Sequence, residues 1–530
     1  MKINIKEWDI ENSLFWKNKG YKIANKNLWV SIPALLLAFS VWLMWGMLIV
    51  QMKKLKFTFG LPCETVNDLK FINDKLWTLP AIAGLAGATL RIPNSFLIAI
   101  GGGRNAILFT TILLLVPAIG TGIALLDVST PFWIFALLAL TSGFGGGNFA
   151  SSMSNISYFF PKKMQGISLG LNAGLGNFGV SVMQFLIPLA ICCSSFVCIF
   201  GKGLPLMEID AMKPIGTLVY IQNASFIWVP FLLFAIIFSS IYMNNLKTAT
   251  PKLGNFLVEF SKIFLLIFFG VIGSVSGAFL LIGLHINMWI VLPVTVIITL
   301  VLMNFFSPGE LKQNLNNQFA IFKEKHNWIM TIIYTMTFGS FIGYSASFPK
   351  LIQDVFGYLP DGSVNPYAPN PMHWAFLGPM VGALIRPIGG WLSDKLNHGS
   401  RVTTWSTIAQ VMAALGVAYF IVQARQSNSP EVYWTPFFIL FMILFITTGI
   451  GNGSTFRSIP YIFPKEQAGP VLGWTSAIAA YGAFVIPKVF GQQIQSGHAE
   501  YALYGFSAYY LLCLVLNWYY YDRKNSGIRC

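Results

Sequence analysis

The chain has 530 residues, 55% of them hydrophobic and only 10% charged, with a formal net charge of +15. Soluble domains carry about 25% charged residues, so this composition excludes an ordinary water-soluble fold. The positive balance does not point to nucleic acid, because the lysines and arginines are dispersed in short segments between apolar runs and form no binding face.

In chain order, the first 26 residues are polar and carry Lys2, Lys6, Lys17, Lys19, Lys22 and Lys26. They read as a cytoplasmic tail and not as a signal peptide. Apolar runs follow near 28–50, 77–99, 105–127, 131–154, 166–193 and 223–244, and the stretches 29–50, 106–126, 131–153 and 226–242 contain no Asp, Glu, Lys or Arg. A spanning helix needs about 20 such residues, whereas barrel strands alternate in segments of about 10. A further pair lies near 258–282 and 286–306, and six more runs fall near 327–350, 372–393, 402–423, 433–455, 469–490 and 502–521. The expectation is an all-α polytopic membrane protein of about fourteen spans. An even number puts both termini on one side.

Alternate loops carry Arg104, Lys162 with Lys163, Lys247 with Lys252, Lys312 with Lys323 and Lys325, and Lys395 with Arg401; the last residues add Arg523, Lys524 and Arg529. These segments read as cytoplasmic. One loop opposes the assignment: 51–76 holds Lys53, Lys54, Lys56, Lys70 and Lys75, partly offset by Glu64, Asp68 and Asp74. The six cysteines (Cys63, Cys192, Cys193, Cys198, Cys513, Cys530) form no CxxC pair. Most read as small hydrophobes; a Cys63–Cys198 bridge outside the cell is a minor alternative. Neither a metal site nor a catalytic thiol is expected.

Two echoes recur about 300 residues apart. GGGNFASSMSNISYFFPKKMQG (145–166) resembles GIGNGSTFRSIPYIFPKEQAG (449–469), and GATLRIP (87–93) resembles GALIRPIGG (382–390). Two echoes in one order suggest homologous halves around a shared site. The expected organisation is a tail (1–26), a six-helix bundle (27–246), a central segment with two extra helices (247–326), a second six-helix bundle (327–521) and a short cytoplasmic tail (522–530). An inserted pair of spans preserves orientation, so the repeats run parallel.

Arg91 and Arg386 lie well inside apolar spans, where a charge costs several kcal/mol on insertion scales. Asp127, Glu259 and Asp394 sit only at span ends or in flanking loops. Each arginine can snorkel or cap backbone carbonyls. At equivalent places in two repeats, they are better read as facing a central cavity, where a guanidinium offers a planar fork to an oxyanion. The run GISLGLNAGLGNFGVSVMQ (166–184) places Gly170 and Gly174 at GxxxG spacing, followed by Gly176 and Gly179, which suits close helix packing. Packing does not explain Asn172, Asn177 and Gln184, amides that need partners in an apolar setting; Asn177 is the one assigned to the cavity. Phe149, Tyr334 and Phe338 lie in spans rich in small residues, but with 15% aromatic residues composition alone does not select them. Arg457, at the cytoplasmic end of its span, reads as an interfacial anchor. No His, Asp or Glu lies deep in these spans; His285, His326, His373, His398 and His498 fall in loops or at span ends. A proton-coupled carrier usually needs such a relay, and two fixed positive charges without one suggest obligate anion exchange.

At these motifs the sequence resembles the nitrate/nitrite porter (NarK-like) family of the major facilitator superfamily. The resemblance rests on GLAGATLRIPNSF, the long Gly-rich stretch 145–184, NASFIWVPF, TFGSFIGYSASF, FLGPMVGALIRPIGGWLSD and GWTSAIAAYGAFVIPKVFG, and covers nearly the whole chain apart from 247–320. It implies a major facilitator fold of two six-helix bundles, here with two extra helices. It further implies that Arg91 and Arg386 clamp the anion and that Asn177, Tyr334 and Ser476 hydrogen-bond it. Phe149 and Phe338 would flank its plane, and Gly146 and Gly473 would allow close approach. The implied activity is nitrate/nitrite antiport by a monomer in the cytoplasmic (inner) membrane, both termini cytoplasmic, with nitrate, nitrite and the lipid bilayer as partners and no cofactor. Nitrate/proton symport is the alternative. A membrane anion sensor lacks a cytoplasmic segment long enough for a signalling domain, and an enzyme lacks a nucleophile–base or metal cluster.

Overall fold

The computed structural model describes residues 4–5, 7–61, 66–194, 201–207, 214–361, 363, 365–528 and 530. Cys63 and Cys198, and with them the suggested bridge, lie outside the described residues. Among the described residues, eleven helices are long and apolar enough to cross a membrane. The expected spans near 77–99, 372–393 and 502–521 are helical but fall short of that measure. The first is diluted by Thr78, Gly84, Gly87, Thr89 and Arg91; the second breaks at Ile385; the third is rich in tyrosine (Tyr501, Tyr504, Tyr509, Tyr510).

The burial pattern is that of a protein solvated by lipid. Phe231, Phe234, Phe238 and Ile241 project outward from the helix Trp228–Tyr242, while Arg91, Arg386 and Arg457 are among the largest fully buried side chains. Water would drive the opposite arrangement. Strands are confined, among the described residues, to two-residue ladders: Asn4–Ile5 pairs in parallel with Asn245–Leu246, and Leu204–Pro205 pairs antiparallel with Leu218–Val219.

The helices that hold or support the functional residues are α1 (Tyr21–Leu43), α2 (Val66–Asn94), α3 (Phe132–Phe159), α4 (Gln165–Asn177), α5 (Phe256–Ala278), α6 (Met288–Phe306), α7 (Lys325–Tyr334), α8 (Leu377–Leu384), α9 (Arg386–Leu396), α10 (Gly399–Gln426), α11 (Trp434–Ile462) and α12 (Lys465–Ala480). The chain forms two compact units. One comprises Met1–Trp8, Trp29–Ser152 and Val182–Asn317; the other comprises Asp9–Leu28, Met153–Ser181 and Gln318–Cys530. Met153–Ser181 groups with the second unit because the glycines of α4 bring its backbone onto α8 and α9. A Cβ on Gly174 would lie 2.6 Å from the Ala383 carbonyl oxygen, and one on Gly166 would lie 2.5 Å from that of Gly390.

The two inserted helices belong to the first unit, where they pack on the Arg91 helix. Gly270 of α5 abuts Leu90 and Pro93 of α2, and Gly277 abuts Leu85 of α2 and Thr295 of α6. Glu259, fully buried in the first turn of α5, accepts from the Gly254 N–H at 2.9 Å and pairs with Lys262 at 3.0 Å. Both contacts fall on Oε1, and Oε2 is buried with no hydrogen-bond partner among the described residues.

Candidate functional site

In the first unit, glycines set where helices touch. A Cβ on Gly87 would fall 2.1 Å from the Trp42 ring of α1, and a Cβ on Gly146 of α3 would fall 2.5 Å from the Gly87 Cα. The absent side chain of Gly146 therefore serves the crossing of α3 with α2. One turn beyond Gly87, Arg91 is fully buried, and its Nε donates to the Gly146 carbonyl at 2.8 Å. Its Cζ lies 4.6 Å from the Phe149 ring centroid, 5.2 Å from Trp42 and 5.8 Å from Phe39. Ring quadrupoles attract the guanidinium.

The second unit repeats the plan with different rings. Gly449 of α11 crosses α8 at Gly382, where a Cβ would lie 2.4 Å from the Gly382 carbonyl oxygen. Four residues on, Arg386 is fully buried at the start of α9, just after the break at Ile385 and before Pro387. None of its three guanidinium nitrogens has a hydrogen-bond acceptor among the described residues. Its Cζ lies 4.0 Å from the Phe341 ring and 5.5 Å from Phe338. Tyr334, also fully buried, lies within electrostatic reach of Arg386, its ring 5.8 Å from Phe338 and 5.5 Å from Phe456. Between Tyr334 and Phe338 runs the π-helical turn Thr335–Gly339, a local widening frequent at functional sites.

The structure thus brings Arg91, Gly146 and Phe149 together in one unit, and Arg386, Tyr334 and Phe338 together in the other. Asn177, Ser476 and Gly473 are buried in the second unit. The Asn177 Nδ2 donates to the Ala173 carbonyl at 2.7 Å, and the Ser476 hydroxyl donates to the Gly473 carbonyl at 2.7 Å. Phe39, Trp42, Phe341 and Phe456 escaped the sequence reading, since abundant aromatics give no signal until helix crossings are known. Arg457 needs correcting: it is only 1% exposed, donates to the Asn397 carboxamide oxygen and stacks 3.7 Å from the Tyr461 ring centroid. Its span end is covered by protein, so it is an internal strut and not an interfacial anchor.

Asp394 closes the cytoplasmic end of this region as the sequence orients it. Its carboxylate accepts from the backbone N–H groups of Ile167 at 2.9 Å and Gly166 at 3.3 Å, in the first turn of α4. A carboxylate there satisfies donors that no helical partner can reach and complements the helix dipole. His398, in the turn between α9 and α10, is held below the usual imidazole range first by burial and then by Arg401, so it adds no charge nearby at neutral pH. Asp394→Ala is expected to cost about 1–2 kcal/mol of stability through the lost cap, seen as a lower unfolding temperature of the detergent-solubilised protein. Unchanged unfolding would show that α4 needs no such cap.

No family model matches the chain. Full-length relatives do. A protein named probable nitrate/nitrite antiporter NarK2 from Thermus thermophilus is 35% identical, covering 99% of this chain and 98% of that one. The proteins named nitrate/nitrite transporter NarU from Salmonella typhimurium and Escherichia coli are 34% and 33% identical, each covering 98% of this chain and 96% of the relative. Among solved structures, the proton:xylose symporter XylE superposes with a TM-score of 0.59 at 12% identity, covering 97% of this chain and 98% of that one. The human organic anion transporter MFSD10 superposes with a TM-score of 0.55 at 13% identity, covering 93% and 99%. These likenesses give the fold, that of the major facilitator superfamily. With relatives that are transporters along their whole length, the chain is a multi-pass membrane transporter and not an enzyme. It belongs to the nitrate/nitrite porter family of the major facilitator superfamily.

Proposed function

We propose that the protein exchanges nitrate for nitrite across the cytoplasmic membrane by alternating access, with the anion held between Arg91 and Arg386. The observation that carries this reading is the state of Arg386: fully buried, with no acceptor among the described residues for any guanidinium nitrogen. A buried, unmet fork of N–H donors is costly, and a planar oxyanion answers it in shape, charge and hydrogen-bonding sense. Arg91, whose Nε donates to the Gly146 carbonyl, supplies the second positive charge. The names of the full-length relatives supply the substrate pair.

Tyr334, Asn177 and Ser476 hydrogen-bond the anion in this reading, Phe149 and Phe338 flank its plane, and Gly146 and Gly473 permit its close approach. Two six-helix bundles (27–246 and 327–521), joined by the central segment 247–326, carry the two arginines. The eleven apolar helices and the three of lower hydropathy make fourteen spans, in a monomer with both termini cytoplasmic. With the Arg386 guanidinium unmet and Arg91 adding a second positive charge, the substrate-free site resists the change of access and the anion-filled site permits it. Proteoliposomes preloaded with nitrite are therefore expected to take up labelled nitrate at least tenfold faster than empty ones, with no stimulation by an inward proton gradient. Gradient-driven uptake into empty vesicles would instead establish nitrate/proton symport.

A further inference from the structure

The two halves can be set in register at the motif that ends α3 and α11. Phe160-Pro161-Lys162 aligns with Phe463-Pro464-Lys465, and the same register places Gly146 on Gly449 and Phe149 on Asn452. Packing agrees independently. Gly146 meets Gly87, four residues before Arg91, and Gly449 meets Gly382, four residues before Arg386. So at the position where the first unit carries Phe149, its ring 4.6 Å from the Arg91 guanidinium, the second unit carries the carboxamide of Asn452. Arg386 takes its ring from Phe341 on a different helix, at 4.0 Å. The position on α11 is thereby left to a polar group.

Asn452 is fully buried, and neither its Nδ2 nor its Oδ1 has a hydrogen-bond partner among the described residues. One turn further along α11, Phe456 rests on Tyr334 at 5.5 Å. Residues four apart share a helix face, so Asn452 lies on the face of α11 turned toward the Tyr334 segment. A buried amide with both polar atoms unmet calls for a reason, and the register puts this one at the position where the first unit carries the ring beside its guanidinium. We propose that Asn452 is a further anion-contacting residue, donating its amide N–H to an oxygen of the planar oxyanion held by Arg386. This rests on the anion-site reading of Arg386. A neutral donor adds direction without a third charge. It lets the site distinguish oxyanions by the placement of their oxygens, because an unmatched buried donor is penalised.

The test uses the full-length protein in detergent, reading its unfolding temperature without nitrate, its stabilisation by sodium nitrate against sodium gluconate at equal ionic strength, and nitrate KM in proteoliposomes. Asn452→Leu is expected to melt no lower than the wild type without nitrate, since an unmet polar group is removed. It should bind nitrate about 10- to 100-fold more weakly, the range for one hydrogen bond to a charged ligand. Asn452→Ser, a smaller change that keeps a donor, should fall between the two and serves if the leucine variant does not fold. Wild-type nitrate affinity in a folded Asn452→Leu or, failing that, Asn452→Ser variant overturns the proposal. A wild-type protein with no nitrate-specific stabilisation would instead overturn the anion site itself.

Discussion

Arg386→Lys is expected to lower nitrate transport by at least about 100-fold, and by more than Arg91→Lys does. The ranking follows from how each guanidinium is held. Arg91 gives its Nε to the Gly146 carbonyl and is surrounded by the rings of Phe39, Trp42 and Phe149. Part of its donor set therefore positions the side chain. Arg386 is positioned by Phe338, Phe341 and the break before Pro387, and its nitrogens have no protein acceptor among the described residues. Lysine would restore the charge but neither the planar fork nor the stacking on Phe341. Hydrogen bonds to charged groups contribute about 1.5–3 kcal/mol each, and every 1.4 kcal/mol is tenfold in affinity. Loss of a two-pronged contact thus reaches about two to four orders of magnitude. Nitrite-loaded proteoliposomes give the measurement. Uptake by both lysine variants within about threefold of wild type would refute the bidentate clamp.

The arginines were legible in the sequence for the same reason that they matter. A charge inside an apolar run is so costly that its presence needs a cause, and both arginines are fully buried as their place in apolar spans implied. The fold was legible likewise from charge-free runs of membrane length. What the sequence could not give was rotation about helix axes. The letters GGGN and GIGN invite a pairing of Asn148 with Asn452, but contacts at Gly146 and Gly449 set the register one residue away. One residue turns a helix by about 100°, enough to pair Phe149 rather than Asn148 with Asn452. Phe39, Trp42 and Phe341 stayed hidden for a related cause: only the helix crossings select them from many similar rings. Arg457 was misplaced because hydropathy finds a span end without saying whether protein covers it. The three weak spans are diluted by glycine, threonine, arginine and tyrosine or broken near proline, and two of them carry the arginines. Function there opposes the hydropathy on which span recognition depends.

Gly174→Val carries the second large expectation: near-complete loss of transport, about 100-fold or more, together with a lower unfolding temperature. The sequence offered Gly170 and Gly174 as a packing motif without a partner. The partner is the helix pair that presents Arg386. A Cβ on Gly174 would lie 2.6 Å from the Ala383 carbonyl oxygen and 3.0 Å from the Pro387 Cδ, and a Cβ on Gly170 would lie 3.0 Å from the Arg386 carbonyl oxygen and 3.1 Å from the Pro387 Cα. Most of these are backbone atoms, which cannot swing aside as a flexible side-chain tip can. Valine would have to push α4 away from the junction of α8 and α9, where Pro387 already removes the N–H that a helix would offer to Ala383. Overpacking of this kind costs about 1–3 kcal/mol in stability. The larger effect is positional, because a binding group displaced by about 1 Å can lose two orders of magnitude in rate. Gly491→Ala is the matched control: its added Cβ meets nothing within 4 Å, and both uptake and melting should stay at wild-type values. If Gly174→Val matched that control, α4 would have no part in placing Arg386, and its glycines would mark only a tolerant surface.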